Sequence, residues 1–104
     1  GCWNSSTENY YAQGWVSPST NGPNDTNWRI VTALGDVGAD SYTSYINNTL
    51  SSGPNTGGSA GPNGISINST SEPSTGEFSF VLVYNRILTA AEMTQNYNFF
   101  KGRY

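Results

Sequence analysis

The chain has 104 residues, 11% of them charged, with four Lys and Arg against seven Asp and Glu and a net charge of -3. That length suits one domain, spanning residues 1–104, and is too short for two. A sequence pI near 4.4 leaves no basic footprint for nucleic acid and no polybasic patch for an anionic membrane surface.

Asn, Ser, Thr and Gly carry most of the polarity, which gives a neutral, hydrogen-bonding surface suited to turns and β-structure. A domain this small buries a modest share of its surface and tends to be marginal alone. The longest apolar stretch, residues 78–84, is interrupted by Ser79 and is far shorter than the ~20 apolar residues of a membrane span. The opening "GCWNSSTENYYAQGW" has neither the charged nor the apolar region of a signal peptide. It also lacks an initiator Met, so the chain is read as starting after processing or inside a longer product. Cys2 is the single cysteine and cannot form an internal disulfide. It is either a free, partly buried thiol or the site of an intermolecular disulfide or attachment.

In chain order, β-branched and aromatic runs bounded by turn residues predict the strands. The first covers residues 10–16, "YYAQGWV", with Gly14 as a candidate bulge, and a loop with Asn-Gly and two prolines follows at 17–27. The second, "WRIVTAL" at 28–34, sets Trp28, Ile30, Thr32 and Leu34 on one face, with Trp28 assigned to the core. "GDVGAD" at 35–40 turns the chain into a third strand at 41–46. Asn47-Asn48 fits a tight hairpin because Asn tolerates positive φ, and "TLSS" at 49–52 is the return strand. "GPNTGGSAGPNG" at 53–64 reads as a flexible linker or as a long surface loop between sheets.

A short alternating strand is predicted at 65–68 and a polar loop at 69–76. The strongest strand signal is "EFSFVLVY" at 77–84, apolar on both faces like a strand covered on both sides. Thr89 and Glu92 then form a T-x-x-E capping box, which opens a short helix over residues 90–95 or 90–97. Strands dominate with one small C-terminal helix, the pattern of an all-β antiparallel sandwich or jelly roll.

No histidine is present, which removes Ser-His-Asp and Cys-His catalysis and the usual zinc ligand sets. A glycosidase needs two carboxylates facing each other across a groove, and no predicted strand carries an E-x-D or E-x-E pair. Catalysis is therefore not expected. Asp36 and Asp40 could offer calcium the hard oxygen ligands it prefers, but they lack a D-x-D-x-D spacing, and two solvated turn acids are the default. No cofactor is expected.

Aromatic residues interleaved with Asn, Ser and Thr suit glycan contact, in which rings stack on sugar faces and amides or hydroxyls bond sugar hydroxyls. They equally suit cross-strand pairs and a core. Trp3, Tyr11 and Trp15 are the candidate glycan contacts. Sequons occur at Asn4, Asn24, Asn47 and Asn68 and matter only in a glycosylating secretory pathway.

The stretch "VLVYNRILTAAEMTQNYNFFKGRY" resembles the C-terminal end of laminin G-like, concanavalin A-like lectin/glucanase modules. It looks most like the versions in bacteriophage and other viral structural proteins. The matching features are a last apolar strand, Tyr84-Asn85-Arg86, the Leu88-Thr89-x-x-Glu92 turn into a short helix, and the tail ending Lys101-Gly102-Arg103-Tyr104. "WRIVTA" resembles the family's W-x-x-V-x strand, and "SYINNTL" its strand ending at an asparagine hairpin, with Asn48 in place of the usual glycine. The likeness covers residues 28–104. It implies a two-sheet jelly roll whose first strands have no counterpart here. The chain would then be the C-terminal part of such a module, or its strand set would be completed by a neighbouring chain. The glycosidase branch's E-x-D-x-x-E is absent. The resemblance also gives Arg86 a structural role, pairing with Glu92 to pin the helix.

Two functions are expected on these grounds. One is a non-catalytic module for carbohydrate or cell-surface recognition, extracellular or on a virion surface. The other is a structural subunit of a capsid, fibre or extracellular filament, self-associating or joining a larger assembly through strand complementation. Neither nucleic acid nor membrane insertion is expected.

Overall fold

The computed structural model describes residues 10–14, 16, 26–59, 61 and 75–103, together with the main chain of residues 2–3 and 7–8. Its elements are β1 (Cys2–Trp3), β2 (Thr7–Glu8), β3 (Val31–Asp36), β4 (Ser41–Ile46), β5 (Thr49–Asn55) and α1 (Ala90–Phe100). β1 and β2 pair antiparallel in a short ribbon, and β3, β4 and β5 form an antiparallel sheet in that order. The described architecture is thus mostly β, with one C-terminal helix.

The β4–β5 hairpin forms where the sequence places it. Asn47 and Asn48 take φ of 49° and 62°, the pair of left-handed residues that matches the twist of the flanking strands. Asn47 also closes the β3 side. Its N–H donates to the Ile30 carbonyl (2.9 Å) and its Oδ1 accepts from the Ile30 N–H (3.0 Å). Along β3, Thr32 and Leu34 are half-buried while Val31 and Ala33 are exposed, the expected alternation.

The strand itself is displaced from the sequence expectation, running 31–36 instead of 28–34. The β3–β4 register pairs Val31 with Ile46, so the ladder ends where the hairpin turns. Trp28 lies beyond it and is 52% exposed. Its assignment to the core is therefore wrong, because the sheet runs out of partner strand before reaching it.

β5 continues past the expected 49–52 to Asn55. Its outer side carries no described strand, so Pro54, which has no N–H to give, is tolerated there. Two register shifts against β4 accommodate the change. Gly53 is required at that point: its φ is +108°, and a Cβ would lie 2.8 Å from the Thr43 Cα.

Of the predicted strand at 10–16, the described residues 10–14 and 16 are instead a tight loop laid over the sheet. Gln13 takes a left-handed φ of 54°, and the Val16 N–H returns to the Tyr10 carbonyl (3.0 Å). The Ser59 N–H donates to the Ala12 carbonyl (2.8 Å), tying this loop to the chain beyond β5. Between them lies the core cluster of Ala12, Val16 and Tyr42, with Tyr10 packed against it. Tyr42 is 1% exposed, and its ring meets Tyr10 edge-on, with centroids 5.9 Å apart. Gly58 must be glycine here, since a Cβ would overlap the Tyr42 ring.

Residues 77–84, the strongest strand signal, belong to no described strand. The side chains carry high β-propensity, but a strand also needs a neighbour, and that is a non-local condition. The predicted strand at 65–68 lies outside the described residues. α1 begins at the expected residue and runs three residues beyond the longer expected end. Met93 of α1 and Leu88 just before it are buried.

Candidate functional site

Thr89 caps α1 reciprocally with Glu92. The Glu92 N–H donates to Thr89 Oγ1 (3.3 Å), and the Thr89 N–H donates to Glu92 Oε2 (2.9 Å). The spacing achieves this because residues N-cap and N3 face each other across the first turn. Arg86 then reaches the same carboxylate from the preceding chain, donating from Nη1 to Oε2 (2.9 Å) and from Nη2 to Oε1 (2.6 Å). The fork is bidentate, the arrangement a planar guanidinium favours. The Arg86 hydrogen bonds, followed by those of the Thr89 N–H and hydroxyl, lower the Glu92 pKa to about 2. The same pairing raises that of Arg86. The expected Arg86–Glu92 clamp is present, joined to the capping box through one carboxylate.

α1 is also tied on two further sides. Asn48 Nδ2 in the hairpin turn donates to Thr94 Oγ1 (3.0 Å), and Asn96 Nδ2 donates to Tyr84 Oη (3.0 Å). Phe80 stacks on Phe100 with centroids 4.0 Å apart and planes 21° apart. Phe99 meets Phe100 edge-on at 4.9 Å, and the Arg103 guanidinium sits 4.1 Å above the Phe99 ring. Cation–π contact of this kind holds the tail over the helix end.

These ties fix one seam of residues 78–84 and leave the rest open. Phe78 is 66% exposed and Val83 60%, while Val81, Leu82, Tyr84 and Ile87 are also exposed. The main chain of residues 81–83 makes no hydrogen bond to the described residues. An exposed, contiguous apolar strip of this kind marks a surface made for contact.

The sequence-predicted site residues divide. Asp36 Oδ1 accepts from the Ala39 N–H (3.1 Å), capping its own turn. The Asp40 carboxylate accepts from the Gly57 N–H at 3.0 and 3.2 Å, linking the β3–β4 turn to the chain after β5. Each acid therefore acts on main chain, and no group of three or more Cys, Asp or Glu that could hold a metal occurs among the described residues. Tyr11 is exposed, but Trp15 and the side chains of Trp3 and Cys2 lie outside the described residues, as do Asn4, Asn24 and Asn68. Asn47 is exposed at the hairpin tip, with its Oδ1 engaged by Ile30. No described helix is long and apolar enough to cross a membrane.

Sequence reasoning missed the Asn48–Thr94 and Asn96–Tyr84 ties and the Tyr10–Tyr42 pair. Nothing local marks them, since each joins residues 12 to 46 positions apart. Comparison of the chain with family models, with curated proteins and with solved structures gives no match.

Proposed function

We propose that the chain is a non-catalytic structural β-module of an extracellular or virion-surface assembly, a jelly-roll sandwich of the concanavalin A-like kind whose strand set is completed by a neighbouring chain. The observation that carries this reading is the strip at residues 78–84, largely apolar and exposed, with strand-type side chains but no strand beside it among the described residues. Such a segment is the natural donor in β-strand addition, where main-chain bonds supply affinity and alternate side chains supply specificity. The clamp and ring stack support it by holding one end of the strip in place without covering it.

Light scattering tests the reading. The wild-type chain is expected at multiples of its 11.2 kDa mass, and the double variant Val81→Lys, Val83→Lys at the monomer mass. A double variant that assembles like the wild type would remove the strip from the assembly and the reading with it.

A second reading, glycan contact, is supported by the exposed rings of Tyr11 and Trp28. It requires retention on a glycan array that is lost on Trp28→Ala.

A further inference from the structure

The partner of the strip follows from the edges of the sheet. The Asn47 N–H bonds to the Ile30 carbonyl, so Ile30 and Asn47 are a hydrogen-bonded pair of the antiparallel ladder, with Asn47 Oδ1 standing in for the second carbonyl. Hydrogen-bonded pairs recur at every second residue. In the observed register, Thr32, Leu34 and Asp36 therefore turn their main-chain groups toward Tyr45, Thr43 and Ser41 of β4. Val31, Ala33 and Gly35 turn theirs outward, where no described strand lies.

Among the described residues this edge lacks the usual protection. Natural sheets blunt free edges with Lys, Pro, bulges or a covering element, but β3 reads "VTALGD" with an unbroken register to β4. Val31, at its head, is 55% exposed. The opposite edge is less receptive, since β5 carries Pro54 and two register shifts.

We infer that residues 78–84 of one copy pair with the outer edge of β3 in a second copy, so that the chain assembles with itself through a donor strand and an acceptor edge. This rests on the assembly reading above and names its partner. The lengths match: paired as a strand, residues 78–84 would span ~23 Å and β3 offers ~20 Å, at ~3.3 Å per residue.

The area is adequate as well. The open side chains from Phe78 to Ile87 expose roughly 500 Å², taking ~150–200 Å² for each in full. With a similar area on the acceptor, each contact comes to roughly 1,000 Å², about the threshold of a specific interface. Within its own chain the strip is held against α1 by Phe100 and Asn96, and the edge it would join belongs to a neighbour. Donor and acceptor are different surfaces, so the contact is heterologous and yields rings or filaments unless two copies exchange strands reciprocally.

Two variants test this without disturbing the β4 ladder. Ala33→Pro removes an outward N–H of the acceptor, and Val31→Lys places a charge on the same edge. Each is checked for the wild-type circular dichroism spectrum. The wild type is expected to assemble, and both acceptor variants and the donor variant Val81→Lys, Val83→Lys are expected to run as monomers. An equimolar mixture of one acceptor and the donor variant keeps one intact contact, so it should give a species of twice the 11.2 kDa mass and nothing larger. If folded acceptor variants assemble like the wild type while the donor variant does not, the β3 edge is the wrong partner and strand donation stands. A mixture that stays monomeric overturns the pairing of these two surfaces. A wild-type chain that is monomeric throughout overturns self-assembly.

Discussion

Replacing Tyr42 with Phe should stabilise the chain, although Tyr42 is the most buried aromatic of the core. Its hydroxyl is buried and has no hydrogen-bond partner among the described residues. An unpaired buried hydroxyl costs ~1–3 kcal/mol against its hydrated state in the unfolded chain. Removing one oxygen leaves the ring's edge-on contact with Tyr10 and its packing against Gly58 intact. Part of the gain is offset by the small void left behind, so the net effect is about 1 kcal/mol. For a domain near this size that corresponds to a rise in Tm of ~4–8 °C, read by thermal unfolding followed by circular dichroism.

Tyr42→Ala separates the ring from the hydroxyl, since loss of a large buried aromatic costs ~3–5 kcal/mol. A second readout is the Tyr10 phenol, whose pKa is raised first by burial and then by Tyr42. In Tyr42→Phe it should titrate closer to its ordinary value, as ultraviolet absorbance would show. A lower Tm in Tyr42→Phe than in the wild type would refute the reasoning, because it would mean that the hydroxyl is satisfied in the folded chain.

The remaining predictions concern the fastening of α1. Arg86→Ala should lower Tm and speed amide exchange across residues 90–100, with a smaller difference from wild type in high salt because the pair is solvent-facing. An unchanged Tm and exchange pattern would remove Arg86 from the clamp. Acid should release the same fastening. The Glu92 pKa is lowered in the folded chain to about 2 from 4.5, so its contribution is complete above pH ~4.5 and is lost as pH falls toward ~2. Loosening of α1 centred near neutral pH, seen in the same exchange experiment, would be inconsistent with Glu92 as the titrating group.

What could be read from the sequence was whatever depends on neighbours along the chain. The Asn47-Asn48 turn, the strand at 41–46 and the start of α1 each follow from two to six consecutive residues whose φ preference or side-chain reach decides the outcome. The Arg86–Glu92 clamp spans six positions and was also legible. The far end of α1 was not. Asn96 and Asn98 are weak helix formers, yet the helix runs through them because Asn96 is bonded to Tyr84 and Phe100 is stacked on Phe80. Trp28 fails for a related reason: its alternation with Ile30 is right, but the length of the partner strand decides whether a face exists to bury it. Residues 78–84 are the sharpest case. Composition reports that they are suited to a sheet, and only tertiary structure reports that no strand stands beside them among the described residues. Of the candidate glycan contacts, Tyr11 alone has a described side chain. The acids Asp36 and Asp40 proved to be turn fasteners, as their loop position suggested.

The buried apolar side chains of the described residues do not form a single cluster. Ala12, Val16 and Tyr42 form one cluster at the sheet, while Leu88 and Met93, just before and within α1, lie outside that cluster. Between the hairpin turn and α1 the direct tie is one amide-to-hydroxyl bond, Asn48 to Thr94. Cooperativity comes from shared burial, and elements that share little can open independently. Among the described residues the helix and the chain leading into it share little with the sheet, so this part can release from the hairpin while the sheet and Tyr42 remain in place. The half of the molecule that presents the open strip is then also the half that can be repositioned at least cost.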